Sequence, residues 1–414
     1  MNICLVSQEY PPETAHGGIG TQTWNKAQAL TRLGHTVHVL STSTKVGEDL
    51  RTVVEAGVTV HRLRPPGFEF PVYEESTFWV GYSWAVLRQL RRLMERVSFD
   101  LVNFPEYGGE GFAFQLDRTR WNWVPVVVQL HGPLAMFSEK LGWPAVGSEF
   151  HRVGTLMERV SIQQADGLMA SSANIADFVA AYYGVARDTI DVVHCGIDCD
   201  LFRPAAEAER DEGRPTVLFV GNLTADKGIN TVFEAALRLR AQHPRLRLQV
   251  LGKGEETLVK NFQERARAQG AADLVEYGGF VSDRRQLPEY YRRAQVFASP
   301  AHHEVGVANV YVEAMACGCP VVACQTGGAP EAVRDGETGL LVPPSDVEAT
   351  TRVLGRLLGD AALRRRMGEA GRRRAEEYFA VDHYIARVLA AYQRTLERSR
   401  QKLERLQQDS PEPS

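Results

Sequence analysis

Short apolar runs alternate along this chain with stretches in which apolar residues recur at helical spacing. Runs at 3–6, 37–40, 101–104, 124–130, 168–170 and 190–193 read as buried strands. Between them, 21–33, 76–96 and 154–164 carry the periodicity of amphipathic helices. The alternation breaks at 202–215, FRPAAEAERDEGRP, which is polar and bounded by prolines. It restarts with strands at 217–220, 246–251, 274–276, 296–298, 320–323 and 339–342, and helices at 228–242, 256–269, 286–293 and 308–317. Three further helices, 347–358, 361–379 and 382–398, follow with no strand after them. The pattern predicts an α/β protein with two Rossmann-like, doubly wound parallel-sheet domains. The expected boundaries are 1–203 and 216–380, joined by a linker at 204–215, with a terminal helix at 381–400 and a polar tail at 401–414. Open parallel sheets bind ligands beyond the carboxyl ends of their strands. The loops after the strands of both halves are therefore expected to face one another across a cleft.

A length of 414 residues accommodates two such domains, and 44% hydrophobic with 24% charged residues is the balance of a soluble globular protein. The net charge of −4 gives no case for nucleic-acid binding. The opening residues, MNICLVSQEYPP, lack the basic lead and long apolar run of a signal peptide, and no stretch approaches the ~20 apolar residues that span a bilayer. A cytoplasmic location is expected. The six cysteines sit mostly in apolar contexts and read as buried free thiols. Cys317 and Cys319 are too close for a zinc knuckle, and the adjacent His302 and His303 point apart, so no metal site is expected.

The chemistry concentrates at 300–331, PAHHEVGVANVYVEAMACGCPVVACQTGGAPE, where Glu304 and Glu313 flank a loop that becomes a helix. Backbone amides at a helix start attract anions, whereas a carboxylate one turn inside suits neutral hydroxyls such as those of a ribose. Both carboxylates would approach a ligand from one side, which argues against hydrolysis between two carboxyls. Lys227, in Gly221-Asn222-Leu223-Thr224-Ala225-Asp226-Lys227-Gly228, stands just before a helix, where a cation is unfavourable unless a bound pyrophosphate compensates it; the alternative is a solvated lysine. Gly252 ends the next strand and allows close approach of a nucleotide. At Phe280 and Val281 a glycine turn presents backbone groups to a base edge, or packs its aromatic residue into the core. In the first half, the loop around Gly18 in His16-Gly17-Gly18-Ile19-Gly20 is either an anion or acceptor contact or a flexible turn, and it lacks the spacing of a dinucleotide fingerprint. His131, directly after the strand VPVVVQL, would point into the cleft, where its side chain could bond a sugar hydroxyl.

Taken in order, Gly17–Gly20, His131-Gly132, His194–Asp198, Gly221 through Gly228, Leu251–Gly254, Gly278–Phe280, the 300–320 segment and Gly327-Gly328 with Pro330-Glu331 resemble the retaining nucleotide-sugar glycosyltransferases of family four, with the GT-B fold. The resemblance implies that Lys227 binds the donor phosphates, Glu313 the ribose, and Glu304 the transferred sugar or phosphate region. It places His131 on the sugar, Gly306, Val307 and Ala308 on sugar and pyrophosphate, and Phe280-Val281 on the base. It also implies retention of anomeric configuration, a UDP-sugar by preference, no metal or other cofactor, and a terminal helix that crosses back to the first domain. Two features depart from the family. Asn222 stands where an arginine commonly pairs with the lysine. Eight residues rather than seven separate Glu304 from Glu313, so strict spacing selects Val305 unless a bulge at 305–306 returns Glu304 to the site.

The acceptor, a saccharide, lipid-linked glycan or small metabolite, is expected on the first domain, with Tyr10, Glu106 and Tyr107 as candidates. Arg88, Arg91, Arg92 and Arg96 form a helical stripe, near in sequence to Arg118, Arg120, Trp121 and Trp123. The stripe is either a solvated face or a peripheral contact with anionic lipid at the inner face of a membrane. Competing readings are another enzyme of this fold, an epimerase or phosphorylase, and a catalytically silent nucleotide-sugar-binding protein.

Overall fold

The computed structural model describes residues 1–14, 17–45, 50–64, 74–204 and 211–408. Contacts divide the chain into two compact units, Met1–Gly196 with Asp382–Ser414, and Ile197–Val381.

The first unit holds β1 (Asn2–Val6), β2 (Thr36–Thr42), β3 (Leu50–Glu55), β4 (Val58–Leu63), β5 (Leu101–Pro105), β6 (Val126–Leu130), β7 (Gly167–Ala170) and β8 (Ile190–Val192). They form one sheet in the order β3-β4-β2-β1-β5-β6-β7-β8. Every pairing is parallel except β3 with β4. β1, β5 and β6 are apolar and buried almost throughout, as strands covered on both faces must be. The β3–β4 hairpin was not expected: β3 alternates partly exposed with exposed residues and carries two charged groups, so it lacks an apolar run. Three helices also went unexpected, Phe112–Asp117, Leu134–Leu141 and Ala173–Tyr183. The last is fixed locally at both ends, by Ser172 Oγ accepting from Ile175 N and by Gly184 in the left-handed conformation (φ +70°).

The helix Val381–Gln408 packs within this unit from Asp382 onward. Tyr392 donates its hydroxyl to Asn103 Oδ1 at 2.9 Å, and Trp123 Nε1 donates to Ser399 Oγ at 2.7 Å. Arg118 pairs with buried Asp166 at 2.5 Å and its side chain is only 4% exposed. Arg118 and Trp123 are therefore internal struts, and the cation–aromatic surface read from the sequence keeps only Arg120 stacked on exposed Trp121. Among the described residues no helix is long and apolar enough to cross a membrane.

The second unit holds β9 (Thr216–Val220), β10 (Arg247–Leu251), β11 (Val275–Gly279), β12 (Val296–Ser299), β13 (Val321–Cys324) and β14 (Gly339–Val342). Their order is β11-β10-β9-β12-β13-β14, all parallel. The order reverses between β9 and β12, where a parallel sheet opens a crevice at its carboxyl edge. The loops leaving those two strands carry Lys227 and Glu304.

Candidate active site

Glycine contacts dovetail the two loops of the second unit. Gly228, at φ +79°, caps the helix Ile229–Leu239, and a Cβ there would fall 2.2 Å from Pro300 O. Gly327, at φ +67°, leaves 1.8 Å between its missing Cβ and Glu304 O, while Gly328 N donates to that same oxygen at 2.6 Å. These approaches fix the backbone on both sides of the crevice. They bring Lys227 Nζ to 3.3 Å from both carboxylate oxygens of Glu304. Glu304, not the neighbouring Val305, faces the lysine; Val305 is buried. Glu304 also bridges to Gly327 in strand fashion, ahead of the helix Asn309–Ala316. The carboxylate beside Lys227 raises the lysine's pKa above its ordinary value.

Glu313 lies one turn inside that helix and is 1% exposed. Its oxygens accept from Arg284 Nη2 at 2.5 Å and Tyr291 OH at 2.8 Å. Each carboxylate oxygen thus accepts one hydrogen bond in the free chain, which leaves acceptor capacity on both. Gly306 is approached so closely by Gly328 that a Cβ on the latter would sit 2.4 Å from its carbonyl carbon. Val307 is buried, and Ala308 is the N-cap of the helix, with no side chain to occupy the amides behind it. Gly252, at φ +140°, lies 1.8 Å from Gly221 O measured at its missing Cβ, and donates its N–H to Gly279 O. That contact laces three strand-end loops together. Asn222 and Phe280 are exposed, Val281 is half-buried, and Lys253 Nζ stacks 4.2 Å from the Phe280 ring centroid. Phe280 is therefore not a core residue.

In the first unit, His131 leaves the end of β6 on a turn held by two buried carboxyls. Glu106 Oε1 accepts from His131 N at 2.6 Å and Gly132 N at 2.5 Å. Glu158 accepts from Leu134 N and from Tyr183 OH, both at 2.6 Å. Burial pushes Glu106 up to about 7, against the pull of the Gly132 and His131 amides, and Glu158 up to about 8, against the Tyr183 and Leu134 donors. The His131 imidazole is pushed down to about 3, by burial first and then by the nearby Lys26. It is a neutral group at physiological pH.

The acceptor assignments need correction. Glu106 is 0% exposed and spends its carboxyl on the His131 turn, so it meets no acceptor hydroxyl in this structure. Tyr10 is likewise 0% exposed, packed against Trp24 and Arg62. Tyr107 is half-buried, edge-on to Trp79 and Phe137. Gly18 is exposed at the start of the helix Gly18–Arg32, but a carboxylate already serves that helix end: Gly20 N donates to Glu9 Oε2 at 3.3 Å. His16, in the same motif, lies outside the described residues. The sequence reading passed over Lys26, Glu158, Arg284 and Tyr291. Lys26 and Glu158 each had a signal, a charged residue on the apolar stripe of an amphipathic helix.

Among the described residues no group of three His, Cys, Asp or Glu could hold a metal ion. Residues 204–374 match the family described as Glycosyl transferases group 1, and residues 16–201 match Glycosyltransferase Family 4. Over 399 residues the chain is 31% identical to a D-inositol 3-phosphate glycosyltransferase of Xylanimonas cellulosilytica, covering 92% of this chain and 93% of the relative. The chain belongs to glycosyltransferase family 4.

A second relative of this glycosyltransferase is an MMP alpha-(1->4)-mannosyltransferase of Mycolicibacterium hassiacum, 31% identical over 431 residues, 96% of this chain and 99% of the relative. Among solved structures, a sucrose-phosphate synthase from Thermosynechococcus elongatus superposes with a TM-score of 0.79 at 22% identity, covering 96% of this chain and 99% of the other. That likeness establishes the GT-B fold. The enzyme's reaction class is sugar transfer.

Proposed function

We propose that this glycosyltransferase takes a sugar from a nucleoside-diphosphate sugar, with UDP as the preferred carrier, and passes it to a hydroxyl acceptor with retention of configuration and without a metal ion. The observation that carries this reading is the pairing of Lys227 with Glu304 at the crevice of the second sheet. The pair joins one cation and one carboxylate, and the helix that follows Glu304 has no side-chain cap on its first amides. A diphosphate arriving there takes Lys227 as its counter-ion and the helix amides as donors, which supplies the charge stabilisation a metal would otherwise give. Glu304, released from the lysine, accepts hydroxyls of the transferred sugar. His131, neutral and fixed by its turn, offers a hydrogen bond to a sugar hydroxyl. In a retaining reaction of this kind the departing diphosphate oxygen takes the acceptor proton, and the bond to the sugar carbon forms on the face the leaving group vacates.

The two relatives act, by their names, on a phosphorylated cyclitol and as a mannosyltransferase, and the solved neighbour is a sucrose-phosphate synthase. A small polyhydroxylated acceptor is the reading these support for this chain. Thermal-shift titration with UDP-, GDP- and ADP-sugars, followed by mass spectrometry with inositol phosphates, hexoses and hexose phosphates, tests it. The expected result is stabilisation by one nucleotide series and a product heavier than the acceptor by one sugar residue. Stabilisation without transfer or donor hydrolysis would favour a silent binding protein, and no stabilisation by any nucleotide would refute the donor site.

A further inference from the structure

At the carboxyl end of the first sheet, where β1 and β5 mark the reversal of strand order, a cavity of about 10 Å³ has room for about one water. Its polar lining is Thr23, Lys26, Asn103, Gln129 and His131. Lys26 enters from the buried stripe of the helix Gly18–Arg32 and is 4% exposed. Its ammonium donates to Asn103 Oδ1 at 2.7 Å and Gln129 Oε1 at 2.9 Å, both neutral oxygens. The groups around it are apolar from β1 (Leu5 and Val6), amide from β5 and β6, imidazole from the strand-end turn, and, through Asn103, the Tyr392 hydroxyl of the last helix. Thr23 supplies the one polar neighbour from its own helix. Gln129 Nε2, 2% exposed as a residue, has no partner. The lining is therefore rich in donors, with a lysine and no carboxylate.

We propose that Lys26 is a positioning residue for His131: its amine, tied to the Asn103 and Gln129 oxygens, shares the cavity with the imidazole and keeps that ring in one hydrogen-bonding state toward a sugar. This rests on the reading of His131 given above. An ammonium in this place costs desolvation that a leucine or methionine on the same helix face would avoid. Its field falls on the nearest titratable ring, and burial together with that field keeps the second cation out. Burial alone pushes Lys26 itself down to about 7, so its charge changes within the neutral range. The influence on His131 is strongest on the acid side, where Lys26 is fully protonated.

The test is Lys26→Met in the full chain, read in two ways. By NMR of ring-labelled histidine, the titration midpoint of His131 should rise. In a transfer assay across pH, the acid limb of kcat should move up with it, with KM for the donor little changed. A folded variant with an unmoved His131 midpoint and an unmoved acid limb overturns the proposal. Lys26→Gln is the second variant should methionine not fold. Glu106, which also titrates near 7 beside the His131 turn, is present in both proteins, so the neutral-range step in the His131 ring resonance should shrink in Lys26→Met, and an unchanged step overturns the proposal as well. The NMR readings need no substrate, so they fail or succeed apart from the donor titrations that test the transferase reading.

Discussion

Replacing Glu106 by glutamine should stabilise the protein increasingly as pH rises. The carboxyl is 0% exposed, and its folded pKa of about 7 lies above the ordinary value of 4.5. The folded chain therefore holds a proton that the unfolded chain has lost, and stability must fall as pH climbs from 4.5 to 7. The contribution is largest below 4.5, where both states are protonated, and is fully lost above 7. Integrating the linkage gives a penalty of about 1 kcal/mol at pH ~5 and about 3.4 kcal/mol at pH ~8, a change of about 2.5 kcal/mol. Glutamine retains a carbonyl oxygen to accept from His131 N and Gly132 N but cannot ionise. Its amide nitrogen replaces Oε2, which has no partner, so the swap carries a fixed cost of roughly 1–3 kcal/mol. That cost does not vary with pH, and the difference between pH ~5 and pH ~8 isolates the ionisation. Glu106 also raises Glu110 and Glu158, so losing its charge relaxes them in the same direction. Urea unfolding of both proteins at a series of pH values measures the gap. A gap that stays constant from pH ~5 to pH ~8 would refute the claim that this buried carboxyl titrates within the fold.

Lys227→Ala should lower transfer on the order of 100-fold while leaving the melting temperature nearly unchanged, since its partner pair is partly exposed; steady-state kinetics and a thermal melt check both halves. Glu313→Ala should cost about 2–4 kcal/mol in chemical denaturation, because it strands the buried Tyr291 hydroxyl and removes the carboxylate that Arg284 bonds, and it should weaken nucleotide binding in a direct titration. Gly252→Ala puts a methyl 1.8 Å from Gly221 O at a φ of +140°, so the second unit should lose more than ~3 kcal/mol; an unchanged unfolding curve would mean the three loops are not laced as described.

The second unit was the more legible of the two in sequence. Five of its six strands are short and mostly buried, and each expected strand is present, with ends shifted by at most one residue except at β11, which is partly exposed and runs three residues further, to Gly279. The glycine-rich loops announced themselves because close backbone approach needs glycine, as at Gly228 and Gly327. What the sequence did not disclose is how the side chains there pair. Arg284 reaches Glu313 across 29 positions from a short turn that carries no periodicity. In the first unit, β3 hides because an edge strand exposed on one face has no apolar run. Glu106 misled because a carboxylate at a strand end looks the same in sequence whether it faces a ligand or takes the amides of the next loop. Lys26 and Glu158 break the apolar stripes of their helices, and a charge on a buried stripe was the signal that went unused.

The free chain keeps its proposed donor-binding groups occupied by one another, and that bears on Asn222. Where the family pattern commonly has a second cation beside the lysine, this chain has a neutral, exposed amide, so in the proposed donor site Lys227 has no cation at that position to share Glu304 and an incoming diphosphate. With a single cation the carboxylate and the phosphate compete. Glu304→Gln removes the competitor but keeps a hydrogen-bonding side chain, and it should therefore tighten binding of a nucleoside diphosphate that carries no sugar. The pair is partly exposed, with Lys227 at 33% and Glu304 at 11%, so the gain is limited to the ~0–1 kcal/mol of a screened ion pair, up to about 5-fold in affinity. The same variant should transfer sugar more slowly, because the carboxylate that accepts sugar hydroxyls is gone. Isothermal titration with the diphosphate and kinetics with the full donor separate the two effects. Weaker diphosphate binding in Glu304→Gln would show that the carboxylate assists the phosphate site instead of competing for its lysine, and the exchange argued here would fail.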